Sequence, residues 1–153
     1  MVDNTDSDNH TDSDNHSDDV AERGSKPPSK LGRLLFSGTL IYMAIDGFLG
    51  NEKRVEIARG KGVPMPEVAV PFATGMLLVA NLGVLLWRYP RAALGAVIVF
   101  FLSTTPAIHD FWNMEGGERK GNQINFCKNV ALLGAAIVLL EQASRDAAEE
   151  GAE

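Results

Sequence analysis

Two stretches of this sequence carry no charge at all. Residues 68–87 run for 20 positions and residues 92–108 for 17 without an Asp, Glu, Lys or Arg. A helix needs about 20 apolar residues, and at least roughly 17, to cross a hydrocarbon core ~30 Å thick. A surface helix of a soluble domain presents a polar face at every turn, and neither stretch does. Two further segments are apolar with one intruding charge each: residues 34–49 around Asp46, and residues 124–140 around Lys128. Glycines recur through all four segments, which weakens a soluble helix but lets membrane helices approach closely. The expected fold is an all-α membrane protein, a four-transmembrane-helix up-down bundle.

Charge divides the chain into unlike parts. Residues 1–24 hold eight acids and only Arg23 as a base, residues 25–141 hold eight acids and twelve bases, and the last twelve residues hold four acids and Arg145. The N-terminus repeats TDSDNH in tandem, from Thr5 to His10 and Thr11 to His16. Such a stretch has nothing apolar to bury and cannot offset the entropy of ordering. Residues 1–28 are therefore expected to form a disordered acidic tail, 29–141 the membrane domain and 142–153 an acidic C-terminal tail. His10 and His16 invite a metal reading, but ligands on an unordered chain are not pre-organised, and no metal site is expected. The first 30 residues contain no apolar core of a signal peptide, so the first hydrophobic segment is expected to act as its own insertion signal. Cys127 is the one cysteine, which excludes dithiol chemistry within the chain.

Residues 88–91 (RYPR) make a tight connection, whereas residues 51–67 and 110–123 read as longer loops. Trp87, Tyr89, Phe111 and Trp112 sit at segment ends, where amphipathic aromatics line membrane interfaces. Four spans place both termini on one side, here side A, and both long loops on the other, side B. Lysine and arginine divide seven against seven between the sides. The RYPR turn and the missing signal peptide point to side A, with the termini, as cytoplasmic.

Charges inside membrane segments are costly and default to functional or pairing roles. In an up-down bundle Asp46, His109, Asp110, Lys128 and Asn129 all fall near side B, on three different helices. Pro106, after Thr104 and Thr105, frees backbone carbonyls close to the same level. Histidine is the side chain suited to proton traffic around neutral pH, and a carboxylate beside it orients the ring. His109, Asp110 and Asp46 are thus the best catalytic candidates. With Lys128 and Asn129 they form a candidate site for a polar head on a lipid-soluble molecule such as a quinone. The competing expectation is structural: Asp46 pairs with Lys128 and Arg33 with Glu141, each pair tying the first helix to the last. Basic loop residues alternate with acids, so nucleic-acid binding is not expected, and GERKGN around Glu118 reads as an exposed turn. No phosphate-cradling loop or Ser/His/Asp order is present.

From Leu31 to Leu140 the sequence resembles the DoxX family of small four-helix membrane proteins. The matching pieces are LGRLLFSGTLIYMAIDGF in the first helix, GVPMP before the second and PRAAL after it. HDFW at His109 and FCKNVALLGA opening the fourth helix complete the set. Members often carry a glutamate early in the second helix, where this chain has ATGMLLVAN. The resemblance implies a membrane subunit associated with redox proteins; some relatives form part of a thiosulfate:quinone oxidoreductase, and others join oxidative-stress complexes. It leaves open whether the chain is itself an enzyme. The expected partners are the lipid bilayer, with a redox protein or a homo-oligomer, and the expected cofactor is a quinone, with nothing bound covalently. The alternative is a non-catalytic scaffold or small-molecule-binding membrane protein.

Overall fold

A computed structural model describes residues 27–152. The acidic repeat and its histidines lie outside the described residues. Within them the chain is helical and contains no strand: α1 spans Lys30–Leu49, α2 Asn51–Gly60, α3 Pro66–Leu86, α4 Pro90–Ile108 and α5 Gly116–Glu150. A short 3-10 turn, Phe111–Asn113, precedes α5.

Each boundary has a local cause. Ser29 caps α1, its Oγ accepting from the Gly32 N–H at 3.0 Å. At Gly50 the chain bends by 86° into α2. Helix α2 carries Glu52 in its first turn and Arg59 in its last, both favourable to the helix dipole. Gly62, at φ +72°, makes the turn that leads to α3, and Pro66 supplies a first helical residue with φ already set. Helix α3 closes with paired bonds from Trp87 N to Val84 O (3.1 Å) and Arg88 N to Gly83 O (2.9 Å). This is the Schellman arrangement, with Trp87 in the left-handed position that glycine usually takes. Pro90 then opens α4 within three residues.

Helices α3 and α4 and the long α5 are each long and apolar enough to cross a membrane. Helix α1 adds a fourth span if it and α2 are counted as one broken span. Helix α1 packs on α3, α3 on α4 and α4 on α5, while α2 lies across α3. The shared core is formed by Leu40, Ala80, Val84, Leu94, Val97, Phe101, Ala136 and Ala143. Small residues bring the helices close. A Cβ on Gly83 would stand 3.0 Å from the Ala93 Cβ at the α3–α4 crossing.

Outward faces are apolar too. Leu35, Tyr42, Phe72, Val79, Leu86, Leu102 and Val138 all leave more than half their surface exposed. A water-soluble monomer does not display so much contiguous apolar surface; lipid tails are the solvent that accommodates it.

The structure revises five expectations. The first long loop contains α2, and most of the second belongs to α5. Residues around Glu118 are helical, not a turn, and residues 142–150 continue α5. Finally, among the described residues α1 and α5 form no packed pair; the helices make an open row with α1 and α5 at its two edges.

Candidate functional site

The side-B residues resolve into three small groups. Asp46, in the last turn of α1, accepts from Arg54 Nη2 at Oδ2, 3.3 Å away. Arg54 comes from α2, and the bend at Gly50 returns it beneath α1. The same guanidinium reaches Met43 O at 3.5 Å. Gly47 makes this possible: a Cβ there would lie 2.8 Å from Arg54 Nη1. Arg59 and Glu67 pair across the turn between α2 and α3.

Asp110, just past α4, is held from two directions. Lys61 Nζ donates to Oδ1, and Asn113 Nδ2 donates to Oδ2 at 3.1 Å. With side chains 25% and 17% exposed, Lys61–Asp110 is the most sheltered ion pair among the described residues. It fastens the loop after α2 to the end of α4.

His109 faces α5, with Nδ1 3.0 Å from Asn122 Oδ1. Asn122 Nδ2 donates to Glu118 O, which directs its amide oxygen at the imidazole. Nδ1 therefore donates, and in the neutral ring Nε2 is left as the proton acceptor. Beside this pair Phe111, Trp112 and Phe126 meet edge to face, with centroids 5.3–5.9 Å apart. A half-buried imidazole with an acceptor nitrogen thus lies next to an aromatic wall at the end of the spans.

The sequence-derived set divides accordingly. His109 and Asp110 are neighbours at the α4 terminus, and Asp46 belongs to the adjoining α1–α2 corner. Lys128 is exposed on α5, in a shallow groove with Gln123, Ile124, Cys127 and Ala131, and makes no ion pair among the described residues. Asn129 is half-buried one position further on. The expected ion pairs are not the ones formed. Asp46 pairs with Arg54 rather than Lys128. Arg33 donates from Nε to Pro28 O and from Nη1 to Leu85 O, each at 3.2 Å, with its guanidinium 5.6 Å from the Trp87 ring. Glu141 pairs with Arg145 one turn along α5. The reason is topological: both expected pairs required α1 against α5, and the row is open. Among the described residues no group of three or more His, Cys, Asp or Glu is placed to hold a metal.

Arg54, Lys61 and Asn122 were not singled out from sequence. All three lie in segments read as loops, whose side chains cannot be aimed without the bend at Gly50 and the early start of α5.

Apolar helices that leave their outer faces bare define a multi-pass integral protein of the cell membrane. Over 103 aligned residues the chain is 32% identical to the inner membrane protein YphA of Escherichia coli (strain K12), covering 65% of this chain and 74% of that one. It belongs to the family of that inner membrane protein. No family model matches the chain, and no solved structure does.

Proposed function

We propose that the protein is a four-span, up-down membrane subunit of the DoxX type, serving a quinone-linked or other redox complex. Its termini are cytoplasmic in this reading, and its side-B end around His109 meets the quinone head or a redox partner. The observation that carries the reading is the His109–Asn122 bond at Nδ1, which leaves Nε2 without a hydrogen-bond partner among the described residues, at the same helix end as the Phe111, Trp112 and Phe126 cluster. A quinone, when bound, supplies two-electron chemistry coupled to protons. The chain's own contribution is to orient a ring against Phe111, Trp112 and Phe126 and to exchange a proton at His109 Nε2. Asp110, fixed by Lys61 and Asn113, keeps a negative charge one residue from the imidazole.

A second reading, a non-catalytic scaffold, has its own support: both carboxylates of the cluster are already tied to cations of the same chain. The two are separated by purifying the full chain in mild detergent and recording the absorbance of extracted quinone. Wild-type protein is expected to retain quinone. His109→Gln is expected to lose most of it at unchanged helicity, because glutamine keeps polarity but cannot take up a proton. Absence of quinone from both supports the scaffold.

A further inference from the structure

The open row leaves two edges, and within their apolar segments, 34–49 and 124–140, each carries one charge, of opposite sign. On α1, Asp46 has 65% of its side chain exposed. Arg54 engages only Oδ2, so Oδ1 has no hydrogen-bond partner among the described residues. On α5, Lys128 is exposed within the apolar segment 124–140 and makes no ion pair among the described residues. An unpaired ammonium there is unfavourable, which calls for a counter-charge at its own depth.

The contacts across the row relate the two edges. A Cβ on Gly47 would lie 3.2 Å from Thr74 Cγ2, one on Gly75 3.6 Å from Phe48 Cζ, and one on Gly83 3.0 Å from Ala93 Cβ. His109 meets Asn122 at 3.0 Å. Carried from helix to helix through these contacts, Asp46 and Lys128 both fall in the side-B half of the row. Helix α1 runs antiparallel to α3, and α5 to α4, so α1 and α5 can also pack antiparallel without inverting either chain in the bilayer.

We propose that two copies of this chain associate edge to edge in the membrane, α1 of one against α5 of the other, with Asp46 of each facing Lys128 of its neighbour. A two-fold axis along the membrane normal forms both contacts at once and closes the pair, so no charged edge remains. The inference is independent of any redox role.

The test uses two pools of full-length protein with different tags. One carries Leu49→Cys with Cys127→Ala; the other keeps Cys127 beside Lys128. Both are co-reconstituted in phosphatidylcholine vesicles and treated with a short thiol crosslinker, and only product bearing both tags is read. The expected result is a cross-tag product and two copies per particle by single-molecule photobleaching. Lys128→Glu in the Cys127 pool should reduce its yield roughly tenfold, the effect of about 1.4 kcal/mol. Asp46→Lys in the other pool should then restore the yield, with circular dichroism verifying that each variant is folded. Single copies without cross-tag product overturn the proposal. So does product that Lys128→Glu leaves unchanged, or that forms only when phosphatidylglycerol is added, since Lys128 would then be answering a lipid headgroup.

Discussion

Gly47 controls how close Arg54 comes to Asp46. A methyl group at that position would meet the guanidinium at 2.8 Å from Nη1 and Thr74 Cγ2 at 3.2 Å. Gly47→Ala should therefore swing the flexible Arg54 side chain outward at little cost and press α1 slightly away from Thr74, and with alanine's better helix propensity set against this the net change in stability should stay within about 1 kcal/mol. The exposed Asp46–Arg54 bond is itself worth under about 1 kcal/mol, so its displacement adds little. Thermal unfolding of the detergent-solubilised protein reads the difference. Combining Gly47→Ala with Arg54→Ala should cost less than the two single changes together, because the second removes half of what the methyl strikes. At the same scale His109 is the residue whose loss should separate function from fold. It contributes one bond to Asn122, whereas the proposed quinone site would depend on its other ring nitrogen.

The pairing of α1 with α3 rests on Arg33 more than on any other polar residue. It is 9% exposed, donates to carbonyls at both Pro28 and Leu85, and lies against Trp87. Arg33→Ala should cost about 1.5–3 kcal/mol, the range for hydrogen bonds from a charged donor. Arg33→Lys should recover only part of it, since a single ammonium cannot span two carbonyls as the guanidinium fork does. Chemical unfolding in mixed micelles measures both. Arg33 also shows what the sequence could and could not tell. Helices α3 and α4 were legible within two residues at each end, because an uncharged run of membrane length has few other uses. The start of α1 at Lys30 and the reach of α5 from Gly116 to Glu150 were not, because hydropathy marks only the part inside lipid. A polar extension of a helix looks like a loop to that measure. The site was legible as residues and not as pairs. Asp46 lies in the last turn of α1 and His109 and Asp110 just past α4, but their partners Arg54, Lys61 and Asn122 depend on the 86° bend and on which helices are neighbours.

Taken whole, the molecule is a row of apolar helices with different chemistry at its two ends. One end is fastened by Arg33 on Leu85 and by the tight α3–α4 turn. The other carries the three polar groups and the aromatic wall. Every functional proposal here requires α1, α3, α4 and α5 each to cross the bilayer, so that His109, Asp110 and Asp46 reach a common face. Single cysteines in a Cys127→Ala background, probed with a membrane-impermeant maleimide on sealed vesicles of known orientation, test this directly. Cysteines replacing Lys53 and Glu118 should label from one face, and those replacing Tyr89 and Ala152 from the opposite face. Labelling of Tyr89 and Glu118 positions from the same face would contradict it, since α4 would then fail to cross and the side-B cluster would not exist as a membrane-surface site.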